Sequence, residues 1–450
     1  MERTEGTGPE LHPPHEVVRI ARRLEEAGFS TWAVGGAVRD ALVGRRPGDW
    51  DLTTAARPGD VRRLFKRTVP VGIEHGTVGV VGKDGRMYEV TTFRRDVETD
   101  GRRAKVSFSD TVEEDLQRRD FTINAVAWHP LTREVRDPHG GARDLRDGIL
   151  RTVGAPDARF QEDRLRVLRA LRFAGRFGLR IDPATWEAAR AAAPALPNLS
   201  AERVREELFK VLKEVARPSD SLRLYERAGV LAVLYPELQH CVGAGDVGAE
   251  DVWTHLMDAV DAVPRRRLLL RLAALLHDVG KPLVERGDGA FPGHAEAGAA
   301  AARELLRRIK CSNAETDYVV HLVAQHGGIP LAGAPVPEWR RWVRRVGKGF
   351  ARDVLRLRIA DCRARAEESP ALARFDPERA RAARRALHDT APLEVSELAI
   401  GGAELRALGV PAGPLFGEIL RDLLERVTDD PSLNDRERLL QVVREGLERH

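Results

Sequence analysis

Two aspartates, Asp49 and Asp51, flank a tryptophan in the stretch AVGGAVRDALVGRRPGDWDLTT, residues 33–54. On a strand, carboxylates at i and i+2 point to one face, a natural way to hold divalent cations. In phosphoryl and nucleotidyl transfer, two metals about 4 Å apart activate the attacking oxygen and stabilise the leaving one. Mg²⁺ takes oxygen ligands and keeps phosphate oxygens in its shell. Upstream, Gly35 and Gly36 let the backbone approach a triphosphate, and the start of the following helix offers N–H groups. Arg39 adds positive charge. A lone D-x-D is more often a solvated strand end, but GG-x-VRD followed by D-x-D is far more specific.

These residues need a scaffold, and the pattern around them supplies one. PHEVVRIARRLEEAG has a helical period and stops at Gly28. STWAVGG predicts a strand, AVRDALVG a short helix and DWDLTT a second strand. HGTVGVVG and MYEVTTFRR add β-branched alternation, which places Glu89 on a strand as a loosely held third acid. From Arg159 onward the texture becomes helical, in EDRLRVLRALRFAGRFG, SAERVREELFKVLKEVA, RRRLLLRLAALLHDVG and AEAGAAAARELLRRI. The expected class is therefore α+β: a mixed-sheet head followed by a largely α-helical neck, second domain and tail. Joints are expected near residue 156, at 240–251 and in ESPALARFDPERA.

The chain has 450 residues and 42% apolar content, enough for several cores. No apolar run approaches a membrane span, and the start, MERTEGTGPELHPPH, has no signal-peptide core and reads as a disordered leader over residues 1–14. Cys241, Cys311 and Cys362 have no CxxC spacing, which fits a reducing cytoplasm. The net charge is only +4, but arginine far outnumbers lysine. Arginine binds phosphate bidentately, so an RNA or nucleotide partner is plausible, as is a codon bias towards arginine.

The glycine turn with its D-x-D resembles the signature of class II nucleotidyltransferases of the polymerase-β superfamily, which comprise tRNA CCA-adding enzymes and bacterial poly(A) polymerases. EEDLQRRDFTINAVAW is similar to that family's RRD motif, and DPHGGARDLRDGILRTVG to its head–neck element. RFQEDRLRVLRALRFAGRFGL resembles its ED-x-x-R base-recognition motif, and SAERVREELFKVL the helix supporting it. The ordered motifs cover roughly residues 30–215. The resemblance implies a polymerase-β-like head in which Asp49 and Asp51 hold Mg²⁺, and Gly35, Gly36, Arg39 and Arg119 hold ATP or CTP. Asp120 is expected to orient the ribose or a neighbouring arginine, or to cap the next element.

Base choice also has a reading in the side chains. C and A share an exocyclic amine beside a ring-nitrogen acceptor. Asp163 can accept from the amine and Arg166 can donate to the ring nitrogen. G and U mismatch both contacts, which discriminates strongly. Arg169 and Arg172 continue an i, i+3 row and are expected to reach the triphosphate; a solvated charged face is the plainer alternative.

LLRLAALLHDVGKP ends in His277-Asp278, costly to bury unpaired. It resembles the HD phosphohydrolase superfamily, whose ligands run H…HD…H…H…D. His255, His277, Asp278, His294, His326 and Asp361 supply that set, with His321 the weaker choice for the fourth histidine. Nitrogen and carboxylate ligands suit a transition metal or Mg²⁺, whose bound water attacks a phosphoester.

The expected domains are 15–155 (head), 156–240 (neck), 241–395 (HD domain) and 396–450 (tail). LAIGGAELRALGVPAGPLFGEILRDLLERV, in the tail, predicts a short helix, a turn and an amphipathic helix. The leading reading is CCA addition to the tRNA 3′ end, with the tRNA acceptor arm, ATP and CTP as partners and no membrane. HD-domain phosphatase or 2′,3′-cyclic phosphodiesterase activity would accompany it. CC-only, A-only and poly(A) addition remain open. RRDVETDGRRAKVSFSDTVEEDL is close to the full length of the family's flexible loop and favours A addition, and the tail leans away from poly(A) synthesis. A different class would be an HD phosphohydrolase with a nucleotide- or RNA-binding head, and a third a non-catalytic RNA-binding protein.

Overall fold

In the computed structural model, the described residues are 11–45, 47–99, 104–245, 251–284, 291–331, 333–364 and 377–448. Residues 1–10 of the expected leader, the centre of the 240–251 joint, residues 100–103 of the flexible loop and most of ESPALARFDPERA lie outside them. The chain divides into two compact units, Met1–Pro236 and Glu237–His450.

The first unit opens with α1 (His15–Glu26), β1 (Thr31–Val34), α2 (Gly36–Leu42), β2 (Asp51–Thr54) and α3 (Pro58–Leu64). Next come β3 (Thr68–Gly72), β4 (Thr77–Val81), β5 (Met87–Thr92), β6 (Arg94–Thr99), β7 (Ala104–Phe108) and α4 (Val112–Gln117). The head closes with β8 (Ala127–Trp128), β9 (Val135–Arg136), α5 (Gly141–Arg146) and β10 (Ile149–Leu150). Seven strands form one sheet in the order β3-β4-β5-β2-β1-β8-β9. β2 and β5 run parallel, with Leu52 opposite Val90; every other pair in this sheet is antiparallel. β6 and β7 form a separate hairpin.

Alternation along the strands sorts the two faces. Leu52, Val78, Val80 and Val90 pack with Val17, Ile20 and Leu24 of α1 and Val61 of α3. Each such side chain stabilises the head by about 1.5–3 kcal/mol when fully buried. α1 buries positions 17, 20, 21 and 24, a helical i, i+3, i+4, i+7 stripe, and the chain leaves it through Gly28 at φ +86°. Leu11 joins the same core at 8% exposure, so part of the expected leader is packed. The other face carries Trp32, Val34, Phe93, Val112 and Leu116.

Two expectations need correction. The second strand begins at Asp51, not Asp49. β1 ends at Val34, opposite Asp51, and Gly35 at φ +73° turns the chain into α2, so residue 49 has no β1 residue opposite it. EDRLRVLRALRFAGRFG is also not one helix. Its first residue closes α6 (Pro156–Glu162), and α7 (Leu165–Phe177) takes nearly all the rest after a break at Asp163, with φ −152° and ψ 105°. The Asp163 carboxylate accepts from Leu165 N at 3.0 Å, a local bond that competes with helix continuation.

The neck continues with β11 (Arg180–Ile181), α8 (Pro183–Ala192), α9 (Ala201–Glu214), α10 (Pro218–Arg227) and α11 (Val230–Leu234); α12 (Pro236–Gln239) follows. The second unit is helical: α13 (Val252–Ala262), α14 (Leu268–Leu276), α15 (Lys281–Val284), α16 (His294–Arg308), α17 (Asn313–Gln325), α18 (Val336–Val346), α19 (Lys348–Ala364) and α20 (Pro377–His388). α21 (Gly402–Ala407), α22 (Pro414–Asp429) and α23 (Arg436–Leu447) bury their own core around Leu405, Val427 and Leu439. The short helix, turn and long helix follow the Gly-Pro punctuation. Arg340, Arg341 and Arg344 of α18 tie this tail to the unit through Thr428, Glu425 and Asp429 of α22.

Candidate functional site

A cavity of about 430 Å³ lies on the sheet face opposite α1. Period-two alternation puts Asp51 and Thr53 of β2 and Glu89 and Thr91 of β5 along it, while Leu52, Tyr88 and Val90 point into the core. The parallel register sets Asp51 beside Glu89. Asp51 is pushed up to about 6 by burial first, then by the Glu89 charge, with Asp49 adding less. Glu89 is thus the nearer acidic partner in electrostatic terms. Asp49 is exposed, one residue outside the buried Trp50. Gly35 closes the site from β1: a Cβ there would meet Arg119 Nη1 at 3.3 Å and Asp51 Oδ2 at 3.9 Å. Its φ of +73° demands glycine independently.

Six arginines line the cavity: Arg94, Arg118, Arg119, Arg166, Arg169 and Arg203. Buried carboxylates hold several of them. Asp115 accepts from Arg118 Nε at 3.1 Å and Arg119 Nη2 at 3.0 Å. Asp120 accepts from Arg169 Nε and Nη2 at 2.8 and 2.6 Å, from Asn124 Nδ2 at 3.0 Å and from Phe121 N at 2.9 Å. Against the penalty of burial, Arg169 and these hydrogen bonds hold Asp120 down to about 2. Of the roles expected for Asp120, the geometry gives the neighbouring arginine.

Two arginines expected at the nucleotide stand elsewhere. Arg39 is 4% exposed, donates to Asn124 Oδ1 at 2.7 Å and to Asp40, and lies 4.4 Å from the Phe177 ring centroid. It braces the turn from behind, 3.5 Å from where a Gly36 Cβ would sit, and neither Arg39 nor Gly36 lines the cavity. Arg172 is 3% exposed and is held by Glu207 at 2.7 Å and Glu214 at 3.3 Å. The turn of the helix carries it away from Arg166 and Arg169 and into the α7–α9 interface.

Asp163 and Arg166 both line the cavity, at the break between α6 and α7. Arg203 Nη2 donates to Asp163 Oδ2 at 2.7 Å. Arg166 Nη1 meets Glu162 at 2.5 Å, and Glu162 also holds Arg159 at 2.8 Å.

The second unit gathers the other ligand set. Among the described residues, two trios have ligand atoms within 4.8 Å of one another: His255, His277 and Asp361; and Asp278, His294 and His326. Asp278 joins them. Its Oδ2 lies 3.6 and 3.4 Å from His255 and His277 Nε2, and its Oδ1 3.5 and 3.4 Å from His294 and His326 Nε2. Lys281 reaches Asp278 at 2.5 Å, and Arg358 pairs with Asp361. Four ligands sit at helix ends: His277 and Asp278 after α14, His294 opening α16 and His326 closing α17. His277, His294 and His326 each place Nδ1 against the carbonyl three residues back, at 2.7–2.8 Å. This assigns the proton to Nδ1 and the lone pair to Nε2. His294 and His326 therefore face each other with two lone pairs, their Nε2 atoms 3.2 Å apart. That pairing suits a shared cation and disfavours an empty neutral pair, so the donor set fits a metal. Burial drives His255 below its usual value, whereas Asp278 and Asp361 hold His277 above its own against burial. His321 is not brought in: its Nε2 donates to the Val346 carbonyl at 2.7 Å.

Sequence reading missed Asp115, Glu162 and Arg203. The i+3 and i+4 spacing from Asp115 to Arg118 and Arg119 was an available signal. The Arg203–Asp163 pair joins residues 40 apart, and nothing local announces it.

The first unit matches two family models: one for the Poly A polymerase head domain over residues 31–151, the other described as the probable RNA and SrmB-binding site of polymerase A, over 178–241. An HD domain model matches residues 240–391. The fold and site thus define a poly(A)-polymerase-type nucleotidyltransferase joined to an HD domain. A CCA-adding enzyme of Geobacillus kaustophilus is 34% identical over 440 residues, covering 95% of this chain and 96% of that one. The chain belongs to the CCA-adding enzyme family. With the CCA-adding enzyme of Geobacillus stearothermophilus, 45% identity runs over 205 residues, half that protein's length. The crystal structure of a Bacillus stearothermophilus CCA-adding enzyme in complex with CTP superposes with a TM-score of 0.71 at 30% identity, over 97% of this chain and 98% of that one. A Thermotoga maritima CCA-adding enzyme complexed with tRNA shares the fold, with a TM-score of 0.60 at 22% identity over 97% of each chain.

Proposed function

We propose that the chain adds CCA to the 3′ end of tRNA from CTP and ATP without a template. The observation that carries this is the single cavity joining Asp51 and Glu89 to Asp163 and Arg166. Crowded carboxylates, one raised to about 6, fit a hard cation. Asp49, Asp51 and Glu89 would hold Mg²⁺, which when bound activates the RNA hydroxyl and stabilises pyrophosphate. The 3′-hydroxyl attacks the α-phosphorus and pyrophosphate leaves. Arg119, anchored by Asp115, and Arg169, anchored by Asp120, bind the triphosphate with little reorganisation. Gly35 lets the nucleotide approach Asp51. Arg39 positions the glycine turn, and Arg172 positions the neck helix. Asp163 accepts the base amine and Arg166 donates to the ring nitrogen.

The shared Asp278 supports a second reading: a metal-dependent phosphohydrolase in the HD domain. His255, His277 and Asp361 would form one ligand group and His294 and His326 the other. Metal there would supply an activated water for phosphoester hydrolysis. A cytoplasmic location fits the three free thiols, and no helix among the described residues is long and apolar enough to cross a membrane.

The test is the double variant Asp49→Asn/Asp51→Asn, given labelled CTP and ATP and a tRNA lacking its tail. Incorporation should fall at least about 10³-fold. Persistent incorporation would sink the transfer reading and leave a hydrolase with a binding head.

A further inference from the structure

The Asp163 carboxylate is held at both oxygens. Oδ1 accepts from Leu165 N at 3.0 Å and Oδ2 from Arg203 Nη2 at 2.7 Å. Each oxygen keeps lone-pair capacity for a further donor, but the plane of the group is fixed. The two donors come from different elements, the first residue of α7 and the third of α9. α9 is itself locked to α7. Glu207, four residues after Arg203 and so on the same face, accepts from Arg172 Nε at 2.7 Å, with side-chain exposures of 1% and 4%. That buried pair sets the register that delivers Arg203 to Asp163. Arg203 also lines the cavity.

We propose that Arg203 is a specificity-positioning residue: it fixes the orientation of the Asp163 carboxylate, so that only a base presenting an amine there is accepted. The proposal rests on the reading of Asp163 as the base-amine acceptor. A freely rotating carboxylate would meet the amine of C or A poorly and would no longer set its oxygens rigidly against the carbonyl of U or G. Arginine's planar fork, and not charge alone, supplies the constraint.

The experiment uses the full chain with two substrates: tRNA lacking its tail, offered CTP or UTP, and tRNA ending in CC, offered ATP or GTP. kcat/KM is measured for wild type, Arg203→Ala, Arg203→Lys, Asp163→Ala and the double variant. Arg203→Ala should lower the CTP-over-UTP and ATP-over-GTP ratios about tenfold or more. Arg203→Lys should recover part of that loss. The double variant should be no less selective than Asp163→Ala alone, because Arg203 acts through Asp163. An equal fall for all four nucleotides, or unchanged ratios, would overturn the proposal and leave Arg203 with a packing role. If Asp163→Ala itself keeps its ratios, the base-reading assignment fails instead. Should the alanine variant not fold, as judged by circular dichroism, the ratios of Arg203→Lys decide: a fall supports the proposal, wild-type ratios overturn it.

Discussion

The head cavity offers carboxylates alone and the HD cluster histidines with carboxylates, and the two are in opposite states of assembly. In the HD cluster, six side chains from several helices already converge, and three histidines have their tautomer set by backbone carbonyls. In the head, several arginines are anchored, but of the three acids only Asp51 and Glu89 stand side by side. Asp49 stands outside the strand, and burial together with the Glu89 charge raises the cost of ionising Asp51. The difference follows from the elements used. Buried helix ends fix the HD side chains through packing, whereas the central strands β2 and β5, beside a glycine turn, leave an open basin. On the reading proposed above, one site would hold a metal and the other would receive metal and substrate together.

The largest expected effect separates the two sites. Asp278→Ala removes the carboxylate that stands between the two HD trios, so retained metal after dialysis, read by mass spectrometry, should fall about 100-fold. Incorporation of CMP and AMP should stay within about twofold, as for sites in separate units. A parallel loss of transfer would mean the units are coupled. Next in size, Arg172→Ala leaves the buried Glu207 with only the part-exposed Lys210 as an ionic partner and should destabilise the first unit by about 2–3 kcal/mol in denaturant unfolding, less than the loss of a sole buried partner. A cost below about 1 kcal/mol would contradict the buried role given to this residue.

Smaller effects come from pH. Asp120, held down to about 2 in the folded state, contributes stability that is present above its unfolded value of 3.8 and lost as pH falls towards 2. Relative to Asp120→Asn, wild type should gain on the order of 2 kcal/mol at pH 6 and little at pH 2. Asp51 has the opposite sign. Raised to about 6, it favours the folded state at low pH and loses that advantage as pH rises from 3.8 through 6. In metal-free protein, Asp51→Asn should be stabilising by about 1–2 kcal/mol at pH 7 and neutral at pH 4. Added Mg²⁺ should narrow the gap by stabilising wild type.

Much of this was legible before any coordinates. The α+β head, the helical body and the tail's helix–turn–helix came from periodicity and Gly/Pro punctuation. The six residues that converge in the HD cluster came from the superfamily resemblance, matched in type and order along the chain. Less legible were contacts between distant segments. Arg39, through the family resemblance, and Arg172, through its i+3 spacing, looked like nucleotide ligands. Asn124, Glu207 and Glu214 claim them instead, and no local pattern links those pairs. The break at Asp163 was hidden because its flanks are both strongly helical. Glu89 was visible only as a strand residue; the parallel β2–β5 register that brings it to Asp51 is a tertiary fact.

The central claim is that the head cavity builds a defined CCA end. It is tested most directly by giving the purified chain, with Mg²⁺, three tRNAs: one lacking the tail, one lacking only the final A, and one complete. CTP and ATP are supplied separately and together. The account predicts CC from CTP alone on the first, a single A from ATP alone on the second, CCA and then arrest on the first with both, and no extension of the third. Unlimited A addition, or a halt after CC with both nucleotides present, would contradict it.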